Sequence, residues 1–246
     1  MGLADLHMHT IYSYDGTATV PAVLKRAKRN GLDVIAITDH DEIRGALEAL
    51  DLAAQVGIEV IPGIEITTAE GDLLGLFITK KVPAGLSLLE TVLRVGALGG
   101  VCIAPHPMAG GMGMKSLSAY SIRQALKHPE AAQILIGIET YNATALDRES
   151  CESAEILANW LGKTATGSSD AHILDAIGLG ATEFPGQSAA DLRAALIKGA
   201  TTVRKQSHWS PARILGGWAL NYLLSTPGRL NPIGQVFTAQ RAYGEG

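Results

Sequence analysis

Leu3-Ala4-Asp5-Leu6-His7-Met8-His9 is an apolar run that closes on two histidines, and three further stretches place a histidine or carboxylate at the end of such a run: Ile37-Thr38-Asp39-His40-Asp41, Ala104-Pro105-His106-Pro107 and Ser169-Asp170-Ala171-His172. On a strand, residues two apart point to the same face, so the imidazoles of His7 and His9 can grip one cation. Repeating this arrangement four times makes sense when the strand ends converge on a metal site, because imidazole and carboxylate are metal-ligating groups.

Outward from these runs, apolar strands alternate with helical patterns over the first two hundred residues. Strands are expected at 3–9, 34–38, 59–67, 73–79, 101–104, 134–139, 164–168 and 201–204. Helices are expected at 20–30, opened by Thr19 and Pro21, at 42–56, stopped by Gly57, and at 87–98, stopped by Gly99-Gly100. Further helices are expected at 117–127, 148–161 and 189–198. Gly71-Asp72 has hairpin chemistry and makes neighbours of the strands on either side of it.

Strands that are apolar throughout, separated by helices, argue for a parallel sheet covered on its outside. An open doubly wound sheet and a closed α/β barrel both fit the rhythm. The polar residues favour the barrel. His7, His9, His40, Glu65, His106, Glu139, Asp170 and His172 all fall at or just past the C-terminal ends of their strands, and a barrel gathers those ends at one mouth.

The chain has 246 residues, of which 47% are hydrophobic, enough for one large globular domain. A barrel domain over 1–204 and a C-terminal extension over 205–246, packing on the barrel or partly flexible, are expected. Residues 212–224 of that extension read as an amphipathic helix, and its apolar segment is too short to span a bilayer. The net charge of −4 gives no footprint for long nucleic acid. Lys25, Arg26, Lys28 and Arg29 form one short basic cluster, read as a solvated helix face. Two cysteines are too few for a disulfide framework, and no secretory leader pattern opens the chain, so the cytoplasm is the expected compartment.

Asp5-Leu6-His7-Met8-His9-Thr10, Ser13-Tyr14-Asp15-Gly16, Ile37-Thr38-Asp39-His40, Gly63-Ile64-Glu65, Pro105-His106-Pro107 and Ser169-Asp170-Ala171-His172, in that order, resemble the polymerase-and-histidinol-phosphatase (PHP) domains. The resemblance implies a distorted (βα)7 TIM-like barrel holding up to three divalent ions. It implies that His7, His9 and Asp170 bind a first ion, that Glu65 bridges it to a second, and that His106 and Glu139 complete the second. Asp15, His40 and His172 are then the third set. Imidazole nitrogens and carboxylate oxygens without thiolate suit zinc, manganese or iron alike. Four crowded carboxylates (Asp15, Glu65, Glu139 and Asp170) would repel one another without cations, and adjacent metals can share a hydroxide and clamp a phosphoryl group.

These readings converge on a metal-dependent phosphoesterase with a small phosphorylated substrate, either a monoester such as histidinol phosphate or a nucleotide, or a short phosphodiester. Candidate phosphate contacts are Lys115, after the glycines of 110, 111 and 113, together with Arg44, Arg148 and Asn142. Asp39 and Asp41 flank His40 and could orient its imidazole, while Thr10 and Ser13 support the loop. Two other readings stay open: an amidohydrolase, which also opens with His-x-His, and a non-catalytic metal-binding barrel that docks a partner. Oligomeric state is not readable from the chain.

Overall fold

The computed structural model describes residues 1–110, 114–145, 148–205 and 211–225. Nine strands form one sheet: β1 (Gly2–Asp5), β2 (Val34–Ile37), β3 (Glu59–Thr67), β4 (Asp72–Leu76), β5 (Val101–Ala104), β6 (Leu135–Asn142), β7 (Thr164–Ser168), β8 (Gly180–Phe184) and β9 (Thr202–Lys205). Their order is β7-β6-β5-β4-β3-β2-β1-β8-β9. The helices are α1 (Val20–Arg29), α2 (Arg44–Val56), α3 (Leu88–Ala97), α4 (Ala119–Ala125), α5 (Pro129–Ile134), α6 (Arg148–Leu161), α7 (Ala189–Lys198) and α8 (Pro211–Ser225).

The parallel-sheet expectation holds only in part, and the hairpin expected at Gly71-Asp72 is present. β1, β2 and β3 are parallel, as are β5, β6 and β7, but β4 runs antiparallel to both its neighbours and β8 and β9 are antiparallel as well. Residues 68–71 between β3 and β4 leave room for a hairpin only, and a parallel return needs a crossover of a dozen residues or more.

The sheet closes into a barrel through backbone beyond the regular strands. Asp170 N–H donates to His7 O at 2.9 Å, and His9 N–H donates to Ala171 O at 2.9 Å. On the other side of the same segment, Thr38 N–H donates to Met8 O at 3.0 Å. Residues 7–9 therefore continue β1 as a bridge between β2 and β7, although the regular strand ends at Asp5. Lower down, β7 and β8 approach closely: a Cβ on Gly180 would stand 2.1 Å from Ser168 O, so only glycine fits there.

Asp5 ties this seam together. Fully buried, its carboxylate accepts Ser169 N–H at 3.0 Å on one oxygen and Gly178 N–H at 2.9 Å on the other. Asp5→Ala strands both donors, so a loss of about 2–4 kcal/mol in folding stability is expected from denaturant titration. Burial pushes the Asp5 carboxyl up to about 6. A group held above its unfolded value favours folding less as pH rises through that interval, so the deficit is larger near pH 5 than at pH 7. An unchanged midpoint at both pH values would rule out this role.

Inside the barrel, Ala4, Val34, Ala36, Ile61, Leu74, Leu76, Val101 and Ile103 pack with Phe184 and with Leu192 and Leu196 of α7. That helix stoppers the N-terminal end: Arg193 reaches Gly99 O, and Thr164 Oγ1 donates to Leu196 O. The opposite end is left for the histidines. α8 lies against the barrel near that end, where Trp218 Nε1–H donates to Asp15 O at 2.9 Å. Among the described residues no helix is long and apolar enough to cross a membrane. Residues 226–246 of the expected extension lie outside the described residues.

Candidate metal centre

Of the implied ligand set, His7, His9, His40, His106, Asp170 and His172 lie just past the ends of β1, β2, β5 and β7, Glu65 and Glu139 lie within the C-terminal halves of β3 and β6, and Asp15 lies in the loop before α1. Two of them occupy the left-handed backbone region: His106 with φ 29° and Asp170 with φ 52°. Non-glycine residues rarely adopt it, and such strain clusters at functional sites. It is held by Glu139, which accepts the His106 N–H at 2.8 Å, and by the seam bond from Asp170 N–H.

Glu65 is the hub. Its Oε2 lies 3.1 Å from His7 Nε2, 3.3 Å from His9 Nε2 and 3.2 Å from His40 Nδ1, and its Oε1 lies 3.1 Å from His106 Nε2. Asp170 Oδ1 stands 3.4 Å from His7 Nε2 and 3.2 Å from His9 Nε2. On the outer side, Asp15 Oδ2 is 3.4 Å from His40 Nε2 and 3.1 Å from His172 Nε2. Candidate ligand atoms lie within 4.8 Å of one another in four overlapping groups: His7, His9 and Asp170; His7, Glu65 and His106; His9, Asp15, His40 and His172; and His40, Glu65 and Asp72.

The far nitrogens are anchored, the pattern that orients metal-ligating imidazoles. His7 Nδ1 faces Glu139 Oε1 at 3.3 Å, His9 Nδ1 faces Ser13 Oγ at 3.0 Å, and His172 Nδ1 faces Asp170 O at 3.0 Å. A backbone carbonyl only accepts, so His172 carries a proton on Nδ1 and would ligate an ion through Nε2. Ser13 Oγ also accepts His40 N–H at 2.8 Å. Thr10 and Asp39 brace each other, with Thr10 N–H and Oγ1–H both donating to the Asp39 carboxylate. Asp41 accepts Thr67 N–H. Neither aspartate is hydrogen-bonded to the His40 ring.

Burial by itself would push these imidazoles down, but the neighbouring carboxylates outweigh it. His7 is held well above its ordinary value by Asp170, Glu65 and Glu139, and His9, His40, His106 and His172 are raised as well. Conversely, burial opposes ionisation of Glu65 and Asp170, yet the surrounding imidazoles hold both well below the carboxylate range. Asp15 is lowered for the same reason. The residues fit divalent ions: buried His9 Nε2 and Asp15 Oδ1 have no hydrogen-bond partner, and lone pairs from several elements point at common centres.

Not every candidate is placed alike. Glu139 belongs to none of the convergent groups, and both its oxygens already receive donors. Asn142 is buried, its amide donating to Glu139 Oε2 at 3.0 Å and Asp170 Oδ2 at 3.1 Å. Arg44 is exposed, pairs with Glu42 at 2.7 Å and covers the Tyr12 ring. Arg148 lies over the Tyr141 ring. Lys115 is exposed, and its carbonyl accepts Asp72 N–H at 2.6 Å; residues 111–113 before it lie outside the described residues. Asp72, at 3% exposure, is the group that motif reading missed. Burial first, and then Glu65, pushes its carboxyl up to about 6.

An α/β barrel with imidazoles and carboxylates packed at its C-terminal mouth defines a metal-binding barrel protein. The chain belongs to the PHP domain family, whose model matches residues 5–173, and the PHP-associated model matches 148–201. It is 44% identical over 114 residues to uncharacterized protein MJ1587 of Methanocaldococcus jannaschii, covering 42% of this chain and 67% of that one. It is 32% identical over 98 residues to a phosphoribosyl 1,2-cyclic phosphate 1,2-diphosphodiesterase of Eggerthella lenta, covering 37% of each. It is 41% identical over 91 residues to a 5'-3' exoribonuclease of Haemophilus influenzae, covering 35% of this chain and only 33% of that protein. The fold matches a two-domain Bacteroides vulgatus protein containing a predicted PHP-like metal-dependent phosphoesterase, with TM-score 0.69 at 21% identity, over 82% of this chain and 64% of that one.

Proposed function

We propose that this chain is a metal-dependent phosphoesterase acting on a small phosphate ester. The observation that carries the reading is Glu65, a buried carboxylate whose two oxygens face four imidazoles from three different segments of the barrel. Divalent ions held by His7, His9, His106, Asp170 and Glu65, with Asp15, His40 and His172 as a third set, would supply Lewis acidity and a water of lowered pKa. The protein's own part is orientation. Glu139, Ser13 and the Asp170 carbonyl fix the rings of His7, His9 and His172, and Asn142 and Thr144 hold the second Asp170 oxygen.

Access is from one side. His7 and His9 side chains are wholly buried, whereas those of His40, Asp15 and His172 are 13%, 16% and 21% exposed. Phosphate therefore approaches the Asp15–His40–His172 corner, beside the Tyr14 ring stacked on His40. The Eggerthella lenta relative is named a diphosphodiesterase of a cyclic phosphate and the Haemophilus influenzae relative an exoribonuclease, which supports including short and cyclic diesters beside monoesters.

The test is a panel of phosphomonoesters (histidinol phosphate and nucleotides), short diesters and cyclic phosphates, with amide and cyclic-imide substrates as the contrast. It is run on metal-stripped protein reloaded with Mn, Fe or Zn. Metal-dependent release from at least one phosphate ester and none from the amides is expected. Turnover confined to the amides would replace the reading with an amidohydrolase, and tight ion binding without any hydrolysis would favour a non-catalytic module.

A further inference from the structure

We propose that Asp72 supplies a metal-ligating carboxylate in this chain, joining His40 and Glu65. The proposal rests on the metal-dependent reading of the site and adds one carboxylate to the groups that face the ions.

Register places Asp72 there. β4 pairs antiparallel with β3 with Thr67 opposite Asp72 and Glu65 opposite Leu74. Directly opposed residues share a face, and so do residues two apart on one strand, so Asp72 and Glu65 lie diagonally on the same face, within side-chain reach. The bond from Asp72 N–H to Lys115 O fixes the start of the strand. Asp72 is almost fully buried, and its Oδ1 has no hydrogen-bond partner. Ligand atoms of Asp72, His40 and Glu65 lie within 4.8 Å of one another. A buried carboxylate oxygen without a donor is costly, and a cation at that centre removes the cost.

Glu139 is in the opposite condition. Oε1 takes the His7 Nδ1–H, and Oε2 takes His106 N–H and the Asn142 amide. Three donors leave one of the carboxylate's roughly four lone pairs, on Oε1, and they make Glu139 a group that aims His7 Nε2 and steadies the strained His106 backbone. With one imidazole and two carboxylates, the Asp72 site suits a hard ion such as Mn(II).

The test uses the full chain loaded with Mn(II), with ions per chain from elemental analysis and affinities from calorimetric titration. Asp72→Asn is expected to weaken its weakest-held ion by roughly tenfold or more. Asp72→Cys gives a direct readout, since a ligating thiolate adds a sulfur-to-metal charge-transfer absorption when the protein is loaded with Cd(II). Wild-type count and affinity in Asp72→Asn, or a Cd-loaded Asp72→Cys without that absorption, would overturn the assignment. Wild-type protein that binds no Mn(II) at all would overturn the metal reading itself, and this assignment with it.

Discussion

Glu65→Gln lowers kcat by at least about 10³-fold while leaving the barrel folded. The substitution preserves shape but replaces one anionic oxygen with an NH2 group, which repels a cation and cannot bridge two. Among the described residues no other side chain faces as many imidazoles: Oε2 is within 3.3 Å of His7, His9 and His40, and Oε1 is 3.1 Å from His106. The variant is checked by kcat on the best substrate of the panel, by ions per chain and by circular dichroism. A folded variant with its full set of ions and more than roughly a tenth of wild-type kcat would show that Glu65 is not the hub.

Stripping the ions has the second large effect. Ions bind the folded site and not the unfolded chain, so at a free concentration about a thousand times Kd they add about 4 kcal/mol to stability. Chelation should therefore abolish turnover and lower Tm together. The pH dependence follows from the shifts. The raised imidazoles contribute stability that is complete below about 6.5 and lost as pH rises through their folded values. The lowered carboxylates contribute stability that is present above about 4 and lost as pH falls. Ion-free protein is then most stable between roughly pH 4 and 6.5, and the gain from ions grows toward alkaline pH because the imidazoles must shed protons to ligate. Equal Tm gains at pH 5.5 and pH 8 would contradict this linkage.

What the chain disclosed in advance follows from how strongly each stretch is patterned. β3, β5, β7, α6 and α7 run over the residues expected for them; α6 and α7 stop before Gly162 and Gly199, and Ser188 caps the start of α7. β8 escaped notice because Gly-Ala-Thr-Glu-Phe has neither an apolar run nor clean alternation, and its pairing is dictated by distant β1. α5 is a short helix that starts at Pro129. The histidine motifs were legible because each ends an apolar strand. Asp72 was not, since in sequence it is the second half of a turn, and only the β3–β4 register turns it toward Glu65. Arg44 and Arg148 carry charge that suits phosphate but rest on aromatic rings in this structure, and Asn142 serves the carboxylates.

The seam between residues 7–9 and 169–171 joins parts of the chain separated by most of the barrel. Contacts so remote in sequence form late, after much chain entropy has been lost. His7 and His9 on one side, and Asp170 and His172 on the other, become one site only when the last turn of the ring is in place. Ion uptake is thus a reporter of completed folding: a chain cut before Ser169 retains His40, Glu65 and His106 but cannot assemble the group formed by His7, His9 and Asp170.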